Sequence, residues 1–223
     1  MYVDEENLTS AYLKSLEKVV KYNYIFTLVI RVKKPIIDFD SIVDDELKLI
    51  GVNLDLKLHN KFKSFVFSDG KTGSWWIKDR VNVLLKGIYH KAITNYDQLN
   101  FVQKALKEIR RRKYTWSSNR LLCFTFNPYD KRLSHTHLER QPVPPCLTLV
   151  DFKPERNVLH LIASWRAQFF DTKAYGNLIS LAVLLRDICK NTGYSPGQLI
   201  SIAHKAILKN RKDARNLLQR LKS

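Results

Sequence analysis

Two β-rich runs followed at once by a long apolar stretch constrain this chain more than anything else in it. Leu147–Phe152 and Asn157–Trp165 are dense in β-branched and aromatic residues, and Lys153-Pro-Glu-Arg156 between them has the composition of a turn. They predict a β-hairpin. Ahead of it stands Pro142-Val-Pro-Pro145, whose rings fix φ and restrict each preceding residue, so Cys146 sits on an extended, non-helical entrance. Arg166 closes the second strand, and an irregular segment, Phe169–Gly176, leads to Asn177. Leu178, Leu181, Leu185 and Ile188 then form one side of a helix that Asn191-Thr-Gly193 ends. A thiol at the start of one strand, a guanidinium at the end of its partner and an amide at a helix entrance suit a ligand with a phosphate and a polar ring.

The remaining chain predicts an α+β fold. Residues 5–21 place Leu8, Tyr12, Leu16 and Val19 at helical spacing, and Tyr24–Val32 is a strand stopped near Pro35. Ile37–Leu49 mixes acidic and apolar residues, as a short helix does. Leu54–Leu58 alternates with period two and Ser64–Phe67 is a further strand candidate, so strands are expected to dominate this half. Ser68–Ser74 reads as a loop. Its Gly-Lys-Thr lacks the second glycine, five residues before Gly70, that a phosphate-cradling turn needs. Helices are expected over Asp79–Lys86 and Asp97–Arg112, a strand over Leu121–Phe126, a turn at Ser195–Gly197, a strand over Gln198–Ala203 with His204 near its end, and a basic amphipathic helix over Asn210–Leu221. Arg110-Arg-Arg112-Lys113 has two readings, a helix end satisfied by its dipole or an anion contact.

These pieces, in their order, resemble the thymidylate synthase family. The stretch from Pro-Pro-Cys146 through two strands to Arg166 and then Asn177 runs in register without a gap. Upstream, Tyr96-Asp97-Gln98, a helix, Ser118-Asn119-Arg120, a strand and Asn127-Pro128 follow the family's order. The resemblance covers roughly residues 86–220, leaves 1–70 divergent, and implies a single domain over 1–223, with a large mixed sheet flanked by helices and a sheet-to-sheet homodimer. It further implies one-carbon transfer, methyl or hydroxymethyl, to C5 of a pyrimidine deoxynucleotide, dUMP first. Cys146 would be the nucleophile that adds to C6, and Arg166 and Arg120 would hold phosphate, the latter across the dimer. Asn177 would read the N3–O4 edge of uracil, Gln168 would lie near the phosphate and His204 at the sugar. Trp75, Trp76 and Tyr89 would line a site for methylenetetrahydrofolate or a related pterin.

Several positions depart from the family's pattern. Asn119 replaces the first of two arginines, Leu147 the usual histidine, Ala167 a serine and Phe169 an aspartate, with Asp171 two residues on. Two other functions therefore stay open: a non-catalytic relative that binds nucleotide or nucleic acid through its basic surface, and a structural subunit without ligand. A formal charge of +17 favours phosphate-bearing partners, or else reflects a lysine-rich solvated surface. The three cysteines show no metal-ligand spacing and His135 with His137 is an isolated pair, so no metal is expected. No apolar run approaches the roughly 18–20 residues that span a bilayer, and the acidic start is unlike a signal peptide. The expectation is a cytoplasmic protein.

Overall fold

The computed structural model describes residues 1–37, 51–112, 121–125 and 145–223. Among the described residues there are seven strands: β1 (Tyr2–Glu5), β2 (Tyr24–Val32), β3 (Leu122–Phe124), β4 (Leu147–Glu155), β5 (Val158–Trp165), β6 (Gln168–Phe169) and β7 (Ser195–Ile207). They form one mixed sheet in the order β1-β2-β7-β5-β4-β3, with β6 paired to β7. The pairs β1/β2, β5/β7 and β6/β7 are parallel, and β2/β7, β4/β5 and β3/β4 antiparallel. The helices are α1 (Leu8–Tyr22), α2 (Leu56–Lys63), α3 (Gly73–Leu85), α4 (Ile88–Thr94), α5 (Gln98–Arg112), α6 (Ala174–Thr192) and α7 (Arg211–Lys222). The architecture is α+β, a mixed sheet flanked by helices.

Helix α6 is the centre of the helical layer. Its predicted stripe is present, yet nearly every other residue on it is buried too, because α1, α3 and α5 pack around it while its fourth side meets β5 and β7. It stops at Gly193, whose φ of 79° and N–H bonded to the Cys189 carbonyl form a left-handed cap that a side chain would strain. Beside it, α1 is capped by Asn7, whose side-chain oxygen accepts from the Ser10 N–H, and buries Leu8, Tyr12, Leu16 and Val19. Tyr12 stacks on Tyr175 with ring centres 4.8 Å apart and donates its hydroxyl to the Phe170 carbonyl. All these groups belong to one hydrophobic cluster.

Four local expectations are corrected. The hairpin turn is tighter than predicted: Pro154 stays within β4 opposite Leu159, and the chain reverses at Arg156-Asn157 with Arg156 at φ 54°. Leu54–Leu58 is not a strand. Asp55 caps α2 by accepting from the Leu58 N–H, and burial of His59 and Phe62 three residues apart selects helix over a short period-two pattern. Of Ser64–Phe67 only Val66 makes an isolated bridge, to Thr72, so helices outweigh strands in this part. Ser195–Gly197 opens β7 instead of turning, and Gly197 permits a close approach: a Cβ there would lie 2.6 Å from Val158 Cγ1. The acidic start carries no strand pattern of its own, yet β1 docks on β2 and the Met1 amine donates to the Thr27 carbonyl. The helix expected over Ile37–Leu49 lies outside the described residues from 38 onward.

Candidate functional site

The ends of the hairpin bring Cys146 and Arg166 side by side. Leu147 pairs with Trp165 as the last rung, and beyond it the Arg166 N–H donates to the Cys146 carbonyl at 2.8 Å while Arg166 Nε reaches the Pro145 carbonyl at 3.3 Å. Of the three thiols, only that of Cys146 belongs to an exposed residue; Cys123 and Cys189 are buried, and burial pushes each of their thiols up to about 12. Behind Cys146 stands Tyr89 of α4, its ring edge on Trp165 with centres 6.1 Å apart. Burial raises the Tyr89 phenol, the charge of Cys146 adds to this, and backbone hydrogen bonding from Leu147 and Cys146 opposes it.

Two cations complete these surroundings. Burial lowers the Arg80 guanidinium, with Tyr89 and Cys146 acting against it. Lys173 is lowered by burial first and then by Arg80, Cys146 opposing, with a smaller push from Lys209. Cys146 thus acts on both Arg80 and Lys173, and Arg80 acts on Lys173.

Both also line a cavity of about 280 Å³ whose other walls are Trp75, Trp76, Asp79, Phe169 and Lys209. Helix α3 supplies four of these side chains because Thr72 caps it early, its hydroxyl facing the Trp75 N–H at 3.5 Å. Spacings of four then place Trp75 with Asp79 and Trp76 with Arg80 on neighbouring lines of one helix side. Gly176 lets α3 settle against α6; a Cβ there would stand 2.8 Å from Arg80 Cβ and 3.0 Å from Ile77 Cα. Lys209 is positioned by Asp171, fully buried, whose carboxylate accepts the N–H groups of Lys209 and Asn210 at 2.8–3.0 Å. Burial pushes that carboxyl up, and the hydrogen bonds pull it back in part.

Ammonium groups cover the indoles. Lys71 Nζ lies 4.0 Å from the centre of the Trp75 ring and 5.0 Å from that of Trp76, and Lys209 Nζ lies 5.2 Å from that of Trp76. Asp79 is ion-paired with Arg80, and Asp69 with Lys209 at 3.0 Å. Among the described residues, the buried Trp76 Nε1 and Arg80 Nε have no hydrogen-bond partner.

The other predicted residues fall in different places. Asn177 is buried in the first turn of α6, not before it, since the helix begins at Ala174. Gln168 is buried on β6, its Nε2 without a partner among the described residues. His204 is exposed on β7 and its Nε2 meets Ser164 Oγ at 2.9 Å, away from the cavity lining. Trp75 and Trp76 line the cavity; Tyr89 stands by Cys146. Arg120 lies outside the described residues, as do His135 and His137. Among the described residues no three metal-ligating side chains cluster, and no helix is long and apolar enough to cross a membrane. The arginine run at the end of α5 is largely taken up locally, Arg111 and Arg112 by Glu108 and Arg110 by the Thr192 carbonyl.

Sequence reading missed Arg80, Lys173 and Lys209. The four-residue spacing of Trp76 and Arg80 was the available signal, hidden because the helix was expected to start at Asp79. No protein-family model matches the chain, and no curated protein is significantly similar to it.

Proposed function

We propose that this protein is a thymidylate-synthase-like transferase that places a one-carbon unit on C5 of a pyrimidine deoxynucleotide, with dUMP as the first substrate to try. The observation that carries the proposal is the setting of Cys146: the one exposed thiol of three, at a hairpin end beside Arg166, with Tyr89, Arg80 and Lys173 around it. As a thiolate, Sγ would form a bond to C6 and drive the C5–C6 electron pair onto C5, making that carbon nucleophilic. After C5 has taken up its substituent and lost its proton, the S–C6 bond breaks and returns the thiolate. Arg166 would hold the phosphate and keep positive charge beside the sulfur. The buried Asn177 amide offers a donor and an acceptor to a pyrimidine edge, and Tyr89 would relay the C5 proton.

The cavity lined by Arg80 and Lys173, the two cations whose electrostatics include Cys146, has two indoles and three cations and fits a flat ring carrying acidic groups. Methylenetetrahydrofolate or a related pterin would supply the one-carbon unit and, for a methyl product, the reducing equivalent. The fold is proposed to be that of the thymidylate synthases, paired sheet to sheet in a homodimer through the partly exposed face that carries Val29, Ile162, Ile200 and Ile202. Arg120 would then reach the partner's nucleotide. Three free cysteines accord with a cytoplasmic setting.

Release of tritium from dUMP labelled at C5 tests the proposal, because exchange at C5 requires thiol addition at C6. Wild type is expected to release tritium and Cys146→Ser to fall to background. Equal release from both would end the catalytic proposal. Nucleotide binding that weakens steeply with salt and is indifferent to Cys146→Ser would favour the non-catalytic relative.

A further inference from the structure

The cavity between α3, β6 and the start of α6 is built for charge before it is built for stacking. Three of its seven lining residues are cationic, Arg80, Lys173 and Lys209, and its one acid, Asp79, is already paired with Arg80. Asp69, which binds Lys209, is not part of the lining. Lys173 makes no ion pair among the described residues, and the Arg80 side chain is only 16% exposed. A surface lysine cluster would be solvated and mutually distant. Here Arg80 and Lys173 are each partly desolvated and each sensed by the same sulfur. Burial and mutual repulsion both weigh against two such cations, and an anion between them relieves both.

Donors without acceptors point the same way. Trp76 Nε1 and Arg80 Nε are N–H groups lacking a partner among the described residues, and Lys173 Nζ adds three more donor hydrogens. The one acceptor side chain of the described lining, Asp79, is ion-paired with Arg80, although its Oδ2 is buried without a hydrogen-bond partner, so the donors outnumber it. A ligand that is acceptor-only, bearing oxygens and negative charge, completes the set. The indole faces meanwhile hold Lys71 and Lys209 at 4.0–5.2 Å, so a ring laid on them would first displace an ammonium group.

We propose that Arg80, Lys173 and Lys209 form an anion subsite, separate from Arg166, which grips a phosphate or carboxylate group of a small molecule bound beside Cys146. The site itself stands on the cavity alone; that the anion belongs to the one-carbon donor rests on the transfer reaction proposed above. The donor would accordingly be held by its acidic end, with Phe169 and the indole edges flanking its body.

Inorganic pyrophosphate and citrate, as phosphate and carboxylate probes, are titrated by calorimetry into the full chain at constant ionic strength without nucleotide. Saturable binding of at least one is expected, and the tighter of the two identifies the anion's chemistry. Removing one charge-assisted contact should weaken it about tenfold in Lys173→Gln or Lys209→Gln, and further in the double variant, while Arg166→Ala stays within about twofold. Both glutamine variants remove the charge with a polar side chain one atom shorter, and Asp171 holds the backbone N–H of residue 209, so folding is retained and is checked by thermal melting. Absence of saturable binding by both probes, or equal affinity in wild type and the double variant, overturns the subsite. A single-stranded oligonucleotide that displaces pyrophosphate overturns its assignment to a small molecule. Tritium release from labelled dUMP separates the two proposals: release without probe binding leaves the transferase and removes the subsite, and probe binding without release does the reverse.

Discussion

The two faces of the sheet are made by the same strands and reach different ends. On one, Val150, Phe152, Leu159, Leu161, Ala163, Trp165 and Leu199 have 0–1% exposure under the helices. On the other, Leu149, Asp151, His160, Ile162, Ser164, Ile200 and Ile202 stay partly exposed, apolar residues interleaved with polar ones. Because side chains alternate along a strand, each residue's face follows from its parity once the register is set. The contrast shows that this chain completes one core by itself and leaves the second face half-covered. The candidate site lies at the hairpin end, where the covered side meets solvent and Trp165 backs Tyr89.

Trp165→Ala attacks the covered face at its largest side chain and also orphans Ser201, whose hydroxyl accepts from the indole N–H at 3.1 Å. A loss of about 3–5 kcal/mol is expected in a denaturant melt; a loss below about 1 kcal/mol would mean that the covered face is not the principal core. Next in size, Gly176→Ala presses a methyl onto Arg80 and Ile77 where α3 meets α6. A cost of about 1–3 kcal/mol is expected, together with weakened pyrophosphate binding, since Arg80 must shift. Unchanged stability there would show that the helical layer yields more readily than the packing implies.

Ile200→Glu probes the half-covered face. If the chain pairs through this face as proposed, sedimentation is expected to find a dimer in wild type and a monomer in the variant, whose own stability changes by less than about 1 kcal/mol. A cooperative unfolding as severe as that of Trp165→Ala would erase the distinction between the faces. The smallest effect is chemical. At pH 8 a thiol with a pKa near 12 is about one part in ten thousand thiolate, so a disulfide-exchange reagent should titrate one fast thiol, absent in Cys146→Ser. Three fast thiols would mean that neither Cys123 nor Cys189 is sealed in.

Where structure is carried by near neighbours in the chain, the sequence was sufficient. β2 runs over Tyr24–Val32 as its β-branched run requires, the hairpin stands where its two runs stand, α6 halts at the glycine that can adopt a left-handed conformation, and α7 starts from an Asn210 cap whose side chain accepts the N–H groups of Lys212 and Asp213. Cys146 and Arg166 were legible as a pair for the same reason, since a hairpin of known register joins its own ends. Tertiary structure alone decided the rest. Leu54–Leu58 became the start of a helix because His59 and Phe62 had a core to enter, and β1 formed because β2 offered it an edge. Arg80 lies on α3, Lys173 just before α6 and Lys209 between β7 and α7, and no local pattern brings them together. Their convergence is a result of packing, made possible by Gly176 between two helices and by the buried Asp171 at a strand end, and burial and charge proximity exist only once that packing does.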